Sequence, residues 1–465
     1  MNDLSDINEN GRIVAKANEI LTPELSSRIG GIHGTYLGSN GILVTARDYT
    51  NNSRMLKRAY IAGAMSAGID ILNLHSASLP LVQFCVRRFG ASGGIYFSSG
   101  STFTGDTVIR FFDSSGIEFS TKKIDSLNEY FKNDNINRVD PPNIGSISSI
   151  LQTFEVYKKA LPQFINKKKV ANASLKVVMD CSYGPTGELA PEMMNSINAS
   201  VIALNTYYRP LTNKIYPDLD AVRDASSIVK AAEADLGVVF DTDGSRMLIL
   251  DETGGVVEFE DIFMLFLNND DTIMKSKANP IITTKSCSRI IDDYAETLGY
   301  KIRRIHNLPG AISRKIRQER GAFGASETSK FYFPAYGPFS DGIFTLLKLL
   351  EILADKDEPL SSLIRNFPKT IKVHKTQNLE RHVLDVYDKV LKEKFREEAL
   401  MIMDLLLGIK IIFDDDTWVR IVPSLYRNAL IYTSEAPDTK VSQQLIADIE
   451  QFMKGKEEEL RKVRS

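Results

Sequence analysis

The chain has few of the features that mark secreted or membrane proteins. Its three cysteines, Cys85, Cys181 and Cys287, lie far apart and show no CxxC spacing, which indicates free buried thiols in a reducing compartment. No apolar run approaches the roughly 20 residues of a membrane span. The N-terminal sequence MNDLSDINENGR also lacks the apolar core of a signal peptide. We therefore expect a cytoplasmic protein with no membrane partner.

An excess of positive charge is also absent. The chain has 57 lysines and arginines against 59 aspartates and glutamates, which gives a formal net charge of −2. General nucleic-acid binders and membrane-surface binders carry a basic excess, so this balance argues against both classes of partner. No G-x-G-x-x-G motif follows the early strand-like runs, which argues against a dinucleotide-binding domain.

What the sequence does contain is a regular alternation of β-rich and helical runs. GILVTA (41–46), GGIYFSS (93–99), LKVVMD (175–180), DLGVVFD (235–241) and NPIITT (279–284) are β-rich, with helical sequence between them. This alternation predicts α/β domains with mostly parallel sheets, and 465 residues correspond to roughly three domains. After Pro368, we predict a long charged helix, then antiparallel strands and a final helix. That change of pattern predicts a separate α+β domain.

Six segments stand in chain order: LTPELSSRIGGIHGTYLG, FCVRRFGASGGIYFSS, DCSYGPTGELAPEMM, DTDGSR, GASETSKFYF and TWVRIVPSLYRNALIYTSEA. Together they resemble the α-D-phosphohexomutases, the superfamily of phosphoglucomutases and phosphomannomutases. The first two resemble the first domain of that family and the third resembles the opening of its second. The last three resemble its metal loop, its sugar loop and its phosphate loop. The resemblance implies three similar α/β domains and a C-terminal α+β domain around a central cleft. The implied domains span 1–145, 146–252, 253–366 and 367–465, with the four functional loops at 94–112, 241–246, 324–330 and 420–428.

The nucleophile loop departs from the family pattern. The family's G-(I/V)-M-I-T-A-S-H-N-P…I-K-F-F pattern lies without a gap on residues 94–112 and places Gly100 where a serine carries the transferable phosphate. Glycine has no oxygen that could accept a phosphoryl group. The neighbouring Ser99 and Ser101 are candidate substitutes, but only if the loop is re-aimed, since a misplacement of about 1 Å costs on the order of 100-fold in rate.

The metal loop keeps only part of its ligand set. Asp241, Asp243 and Ser245 occupy the positions of three aspartates that hold Mg²⁺ in the family. Mg²⁺ prefers near-octahedral coordination by oxygen, and a serine hydroxyl is a neutral, weak ligand. The resemblance therefore implies weak Mg²⁺ binding. Arg246, at the end of the loop, is by the same resemblance a candidate substrate-binding residue. The alternative is an Asx-rich turn in which Arg246 pairs with the two carboxylates.

The two substrate loops are altered to different degrees. Glu327 and Ser329 match a sugar loop whose carboxylate and hydroxyl bind sugar hydroxyls, and Lys330 could face a phosphate; the alternative is a solvated polar turn. In the phosphate loop, Ser424 remains and Arg427 supplies a cation. The arginine, glycine, threonine and glutamate of RPSGTE are replaced, so the alternative is a packed loop that no longer binds phosphate.

Two further motifs are degraded. The N-terminal FGTDGIRG motif of the family leaves only Arg12 near its place, and RDTRLSS appears as RDYTNNS from Arg47 to Ser53. We expect Arg47 and Asp48 to form a structural pair. The functional loops thus differ from the family pattern, whereas the packing segments around them match it. This contrast indicates a protein that keeps the fold of the family and has changed its chemistry.

Three hypotheses follow. The first is a non-catalytic or repurposed homologue that binds a hexose phosphate or a related sugar. The second is an active hexose 1-phosphate/6-phosphate mutase that uses Ser99 or Ser101. The third is a non-catalytic partner subunit of another enzyme. The sequence leaves the sugar and the oligomeric state open, including a homo-oligomer.

Overall fold

The computed structural model describes residues 3–99, 106–149, 152–208, 219–369, 373–405, 408–414, 417–424 and 427–464. Its strands form four separate sheets that follow one another along the chain. The predicted fold class, three α/β domains and a C-terminal α+β domain, is confirmed. No helix within these ranges is long and apolar enough to cross a membrane. All three cysteines are free and buried.

Domain I contains a seven-stranded sheet and four α-helices. The strands are β1 (Asn8–Glu9), β2 (Arg12–Lys16), β3 (Ile42–Arg47), β4 (Asp70–Ser76), β5 (Gly93–Ser99), β6 (Asp106–Asp113) and β7 (Ile147–Ser148). The helices are α1 (Pro23–Tyr36), α2 (Asn51–Ser66), α3 (Leu79–Arg88) and α4 (Thr121–Lys132). The strand order is β1-β2-β6-β5-β3-β4-β7, so the last strand of this sheet lies just beyond the implied boundary at residue 145.

The central strands of domain I are apolar because the helices bury both faces of the sheet. Ile95, Tyr96 and Phe97 in β5 are all fully buried. Helices α1 and α2 pack against each other so closely that a Cβ atom at Gly30 would lie 2.1 Å from the carbonyl oxygen of Tyr60. Glycine at this position therefore permits the contact between the two helices.

Domains II and III each have a four-stranded sheet. Domain II contains β8 (Lys176–Asp180), β9 (Ser200–Leu204), β10 (Leu236–Phe240) and β11 (Met247–Leu250), with α5 (Thr153–Ala160), α6 (Lys167–Ala173), α7 (Thr186–Ser196) and α8 (Leu219–Ala231). Domain III contains β12 (Ile281–Thr284), β13 (Ile302–Ile305), β14 (Phe323–Ser326) and β15 (Lys330–Tyr332). Its helices are α9 (Phe259–Asn269), α10 (Asp271–Lys275), α11 (Ile290–Thr297), α12 (Ala311–Glu319), α13 (Gly342–Lys356) and α14 (Leu360–Ile364).

Domain IV is an antiparallel sheet covered by a long helix. It contains β16 (Val373–Asn378), β17 (Met401–Asp404), β18 (Ile409–Ile412), β19 (Trp418–Pro423) and β20 (Ala429–Glu435), with α15 (Arg381–Leu384), α16 (Tyr387–Lys394) and α17 (Thr439–Arg464). The strand order is β16-β20-β19-β18-β17. The prediction of a long charged helix after Pro368 is therefore wrong in part, because β16 begins there. As an edge strand paired only with β20, β16 carries the polar residues typical of exposed edges.

The apolar core explains how the domains are held together. One cluster of buried side chains runs continuously from Val44 in domain I to Leu360 in domain III, whereas domain IV has a core of its own. Domains I to III therefore share this cluster, although each also has a separate cluster of its own, and residues of all three can be held in fixed positions around the loops between their strands.

A candidate anion-binding cleft

The metal-type loop, residues 241–246, connects the antiparallel strands β10 and β11. Its carboxylates accept hydrogen bonds from the loop itself: the amide of Ser245 donates to Asp243 Oδ1 at 3.0 Å, and that of Arg246 donates to Asp241 Oδ1 at 3.2 Å. Gly244 has φ +77°, and a Cβ atom there would lie 2.4 Å from Thr186 Oγ1. The turn therefore requires glycine.

Three domains meet at this loop. The amide of Leu79, at the start of α3 in domain I, donates to the carbonyl of Asp243 at 2.8 Å. From domain III, the Ser340 hydroxyl donates to the carbonyl of Ser245 at 2.7 Å. These bonds hold the loop at the junction of domains I, II and III.

Each carboxylate of the loop is in an ion pair with an arginine. Arg110, on β6 of domain I, contacts Asp243 Oδ2 at 2.6 Å, and Arg246 contacts Asp241 Oδ2 at 2.6 Å. The Ser245 hydroxyl donates to Asp241 Oδ2 at 3.4 Å. Both carboxylates are thus neutralised by side chains of the protein.

The electrostatic environment separates the two carboxylates. Burial, and next the charge of Asp243, raise the pKa of Asp241 despite the opposing effect of Arg246. Burial acts in the same direction on Asp243, but Arg110, Lys330 and Arg246 outweigh it and hold the pKa of Asp243 well below its ordinary value. Asp243 is therefore the more firmly ionised of the two.

The three residues predicted to bind Mg²⁺ do not fit that ion in this arrangement. A magnesium site needs oxygens that are free to coordinate, with the carboxylates supplying most of the compensating charge. Here one carboxylate is paired with Arg110, the other with Arg246, and Ser245 is neutral. Within the described ranges, no group of three or more His, Cys, Asp or Glu side chains could hold a metal ion.

Lys330 lies beside the loop, and Arg12 lies near Lys330. Arg12 forms an ion pair with Glu118 at 2.6 Å. Burial, and next the charge of Arg246, lower the pKa of Lys330 to about 8, with Arg12 and Arg110 contributing. In the part of the chain that the structure describes, the partly buried Lys330 ammonium has no hydrogen bond or ion pair. We call Arg12, Arg110, Arg246 and Lys330 the cationic cluster.

Ser99, a candidate nucleophile, is committed to a neighbouring carboxylate. Its hydroxyl donates to Asp48 Oδ2 at 3.0 Å and its amide donates to the same oxygen at 2.7 Å. Thr50 donates to Asp48 Oδ1 through both its amide and its hydroxyl, at 3.0 and 2.7 Å. Asp48 thus accepts four hydrogen bonds. Gly100 and Ser101 lie outside the described residues.

The expected structural pair between Arg47 and Asp48 takes a different form. Arg47 Nη1 donates to the main-chain carbonyl of Asp48 at 2.5 Å, whereas the Asp48 carboxylate is occupied by Ser99 and Thr50. The Arg47 side chain thus binds the main chain of Asp48, and the Asp48 carboxylate remains available to Ser99 and Thr50.

The residues of the sugar and phosphate loops are divided between several environments. Glu327 Oε2 accepts from Lys410 of domain IV at 2.7 Å, with only 8% of the glutamate side chain and 2% of the lysine side chain exposed. Ser329 lines a cavity that also contains Ser424. Arg427 is exposed and does not line this cavity. The structure therefore brings Glu327, Ser329 and Ser424 together and leaves Arg427 apart.

The family is shown by sequence comparison. Models of the phosphoglucomutase/phosphomannomutase family match in chain order: alpha/beta/alpha domain I at residues 9–138, domain II at 155–255 and domain III at 260–371. The chain belongs to the phosphoglucomutase/phosphomannomutase family. The match to this family makes it a phosphohexomutase-like protein.

Individual family members are similar along nearly their whole length. A probable phosphoglucosamine mutase from Pyrococcus horikoshii is 27% identical over 443 residues, which cover 94% of this chain and 95% of the relative. A phosphoglucomutase/phosphomannomutase from Thermococcus kodakarensis is 26% identical, covering 94% and 97%. The crystal structure of a phosphoglucomutase/phosphomannomutase family protein from Burkholderia thailandensis has a TM-score of 0.72 at 18% identity, covering 96% and 97%. That structural likeness supports the fold.

The sequence analysis missed Arg110 as a site residue. The family pattern aligned with residues 94–112 has a lysine in I-K-F-F, and Arg110 occupies that position. A cation kept within an apolar strand, where burial requires a partner, was the available signal. Its partner Asp243 is 133 residues away, so only the fold identifies the pair.

Proposed function

We propose that this phosphohexomutase-like protein binds a hexose phosphate or hexosamine phosphate in the cleft, with the phosphate on the cationic cluster. We further propose that its conversion of 1-phosphates into 6-phosphates is impaired or lost. The observation that carries the binding proposal is the Lys330 ammonium, which has no partner in the described part of the chain and lies among three arginines.

The balance of charge supports a phosphate ligand. The four cations of the cluster face three carboxylates, those of Glu118, Asp241 and Asp243, which leaves one positive charge uncompensated. Each arginine is already in an ion pair, so the uncompensated charge is that of Lys330. A partly buried ammonium attracts an anion much more strongly than a fully solvated one. A phosphate group satisfies both the charge and the free hydrogen-bond donors.

The relatives support a sugar phosphate as the molecule that carries this anion. Both curated relatives described above are named as mutases, one of phosphoglucosamine and one of phosphoglucose or phosphomannose. Hexosamine phosphates and hexose phosphates are therefore the first ligands to test.

Impaired catalysis is supported by the sites of the nucleophile and the metal. Glycine stands at the position of the phosphorylated serine. The neighbouring Ser99 hydroxyl donates to the Asp48 carboxylate, which also accepts hydrogen bonds from the Ser99 amide and from the amide and hydroxyl of Thr50, so this hydroxyl is held in a hydrogen-bond network of the protein. The carboxylates of the metal-type loop are paired with arginines. Loss of a nucleophile alone removes several kcal/mol of transition-state stabilisation.

One observation favours the alternative of an active mutase that uses Ser99 or Ser101. Asp48 lies 3.0 Å from the Ser99 hydroxyl, which is the distance that a general base requires. In this alternative, Asp48 takes the proton as the Ser99 oxygen attacks a phosphoryl group of a sugar bisphosphate, and the bond from that phosphorus to the sugar oxygen breaks so that a sugar monophosphate leaves. A measurement of glucose 1-phosphate turnover separates this active mutase from a protein that binds sugar phosphates without converting them.

Calorimetry with glucose 6-phosphate and glucosamine 6-phosphate tests the binding. We expect both to bind, with at least tenfold weaker affinity for Lys330→Met and near-parental affinity for Lys330→Arg. ³¹P NMR with glucose 1-phosphate, Mg²⁺ and glucose 1,6-bisphosphate tests the chemistry. Turnover within the usual range of about 1–10³ s⁻¹ would overturn the proposed loss of activity. If neither sugar phosphate binds, the proposal that the cationic cluster binds a sugar phosphate is wrong.

A further inference from the structure

A cleft of about 650 Å³ opens between domains I and III. Domain I contributes Arg87, in the last turn of α3, and Ser115, which lies beyond the end of β6. Domain III contributes Arg317, in the last turn of α12, and Arg320, which directly follows that helix. This volume lies within the size range of small-molecule sites, about 300–1,000 Å³.

The cleft and the cationic cluster lie at opposite ends of the sheets. Strands β5 and β6 are antiparallel, so Ser115 lies at the end of the sheet opposite Ser99, the last residue of β5. A strand of this length spans about 20 Å. In domain III, Ala322 lines the cleft directly before β14, whereas Glu327 directly follows that strand. A ligand in this cleft is therefore separate from one on the cationic cluster.

The three arginines of the cleft carry charge that no carboxylate balances. Across the described residues, none of them forms an ion pair, and none of the residues that line the cleft is an aspartate or a glutamate. The carboxylates nearest to them in sequence are held by lysines, in the pairs Asp113–Lys123, Glu319–Lys315 and Asp271–Lys275. Burial lowers the pKa of Arg87, Tyr336 opposes this effect, and the charge of Arg317 lowers the pKa further. The guanidinium groups of Arg87 and Arg317 therefore repel each other across the cleft.

Two of the arginines form hydrogen bonds across the domain boundary. Arg87 Nη1 donates to the carbonyl oxygen of Tyr336 at 3.1 Å, and Arg317 Nη1 donates to the Ser115 hydroxyl at 2.5 Å. A cation in the last turn of a helix ordinarily stabilises that helix through its dipole. Here each guanidinium binds a neutral group of the other domain, and only one of its nitrogens is used within the described residues. Since a guanidinium has five N–H donors, the others are left for a ligand.

Arg320 has a backbone conformation that favours glycine. It ends α12 with φ +55° and ψ +40°. The left-handed residue after a helix is usually glycine, because a side chain is strained in this conformation. Residues held in such conformations cluster at ligand sites. Arg320 therefore adds a third cation to the cleft at a cost to the stability of the fold.

We propose that this cleft binds a small non-aromatic molecule with two or more phosphate groups, which joins domains I and III. Arginine suits this ligand because its planar guanidinium donates two parallel hydrogen bonds to one phosphate. Of the described residues that line the cleft, none is aromatic, so no nucleobase would stack there. Ser114, Ser276 and Asn279 supply hydroxyl and amide groups for the rest of a polar ligand. This inference does not rest on the proposed function.

Binding of pyrophosphate to the Lys330→Met protein tests the inference, because this background weakens the cationic cluster. Calorimetry should show submillimolar binding that becomes at least fivefold weaker when Arg320→Gly is added. Glycine removes one cation of the cleft and relieves the left-handed backbone, so the unfolding temperature should not fall. Arg88→Gln in the same background is the matched control, because Arg88 is an exposed cation of α3 that does not line the cleft. This control should keep the affinity.

Scanning calorimetry provides a second measurement, because a ligand that binds only the folded state stabilises it. Pyrophosphate should raise the unfolding temperature of the background and of the Arg88→Gln variant more than that of the Arg320→Gly variant. Equal weakening of binding by Arg320→Gly and Arg88→Gln would indicate general attraction by surface charge and overturn the inference, as would the absence of saturable binding.

A comparison of triphosphate with ATP tests the class of ligand. The two should bind the Lys330→Met protein with similar affinity, because the cleft offers no ring on which adenine could stack. Much tighter binding of ATP would overturn the assignment of a non-aromatic ligand. Failure of glucose 6-phosphate to bind the parent protein would overturn the proposed function alone, since pyrophosphate binding is measured without an intact cationic cluster.

Discussion

The guanidinium of Arg110 lies 2.6 Å from the carboxylate of Asp243, although one is on a strand of domain I and the other in a loop of domain II. Burial opposes the charged form of Arg110, but Asp243 and Glu118 raise its pKa above the ordinary value. The arginine therefore stays protonated at any pH at which the protein is folded. Its charge stands beside the loop where the family resemblance implies a divalent cation.

Pairing with arginine and the lack of a third carboxylate are the two features that exclude Mg²⁺ from the loop. A variant in which the Arg110 pairing is weakened and a third carboxylate is added should therefore bind the ion. We expect Arg110→Lys combined with Ser245→Asp to bind Mn²⁺, a spectroscopic substitute for Mg²⁺, at least tenfold tighter than the parent does. The added aspartate supplies a third oxygen ligand, and lysine holds Asp243 as a point charge without the fork of a guanidinium. Electron paramagnetic resonance of free Mn²⁺ measures the affinity.

The control for this gain is Arg110→Lys with Ser245→Asn, which adds a similar side chain without the charge. It should remain at the affinity of the parent. Submillimolar Mn²⁺ binding by the unmodified protein would contradict the interpretation that arginines have taken over the neutralisation of the loop.

Phosphate binding should depend on the protonation of Lys330. Burial and the neighbouring arginines lower the pKa of this lysine to about 8, so the ammonium is mostly present at pH 7 and is lost as the pH rises through 8. A sugar phosphate becomes a dianion above its second pKa of about 6. We therefore expect the affinity for glucose 6-phosphate, measured by calorimetry, to be highest between about pH 6 and 8.

Lys330→Arg separates this effect from general changes of charge. Arginine remains charged well above pH 10, so the loss of affinity above pH 8 should disappear in this variant. If the affinity of Lys330→Arg for glucose 6-phosphate still falls above pH 8, a group other than Lys330 controls the pH dependence of binding.

We expect the Asp48 carboxylate to stabilise the folded protein and the Ser99 hydroxyl not to become phosphorylated. Replacing Asp48 with Asn turns one acceptor oxygen into a donor among four donors, so we expect a destabilisation of about 3 kcal/mol for Asp48→Asn and about 1 kcal/mol for Ser99→Ala. Calorimetric unfolding compares the two variants. Mass spectrometry after incubation with glucose 1,6-bisphosphate should find no phosphate on Ser99, and a phosphopeptide that disappears in Ser99→Ala would restore the active-mutase hypothesis.

The sequence predicted the parts of this molecule that depend on short stretches of chain. The run GGIYFSS became β5 with the predicted bounds, because a strand buried on both faces is apolar along its whole length. The β-rich run DLGVVFD, which precedes the loop 241–246, also forms a strand, β10. By contrast, β16 was missed because the polar run VHKTQN follows neither an apolar nor an alternating pattern, and its strand conformation depends on pairing with β20.

The same limit applies to the candidate site. Asp243 and Glu327 were identified from the resemblance, but their partners Arg110 and Lys410 lie in other domains. Lys410 could not be assigned to Glu327 from sequence because 83 residues separate them, and the intervening chain crosses into domain IV. Such pairs follow from the packing of domains, which no local pattern encodes.

The Glu327–Lys410 pair should be a strong stabilising contact between domains III and IV. It is nearly excluded from water, and the Lys410 ammonium also lies 3.9 Å from the centre of the Trp418 ring. Removing one partner of a buried ion pair leaves the other charge uncompensated, which costs about 3–5 kcal/mol. We therefore expect Lys410→Met to lower the unfolding temperature markedly in scanning calorimetry, and Lys410→Met with Glu327→Gln to recover most of the loss. A double variant as unstable as the single one would show that Lys410 acts instead through the Trp418 ring or through the Ser286 carbonyl, to which its ammonium donates at 2.6 Å.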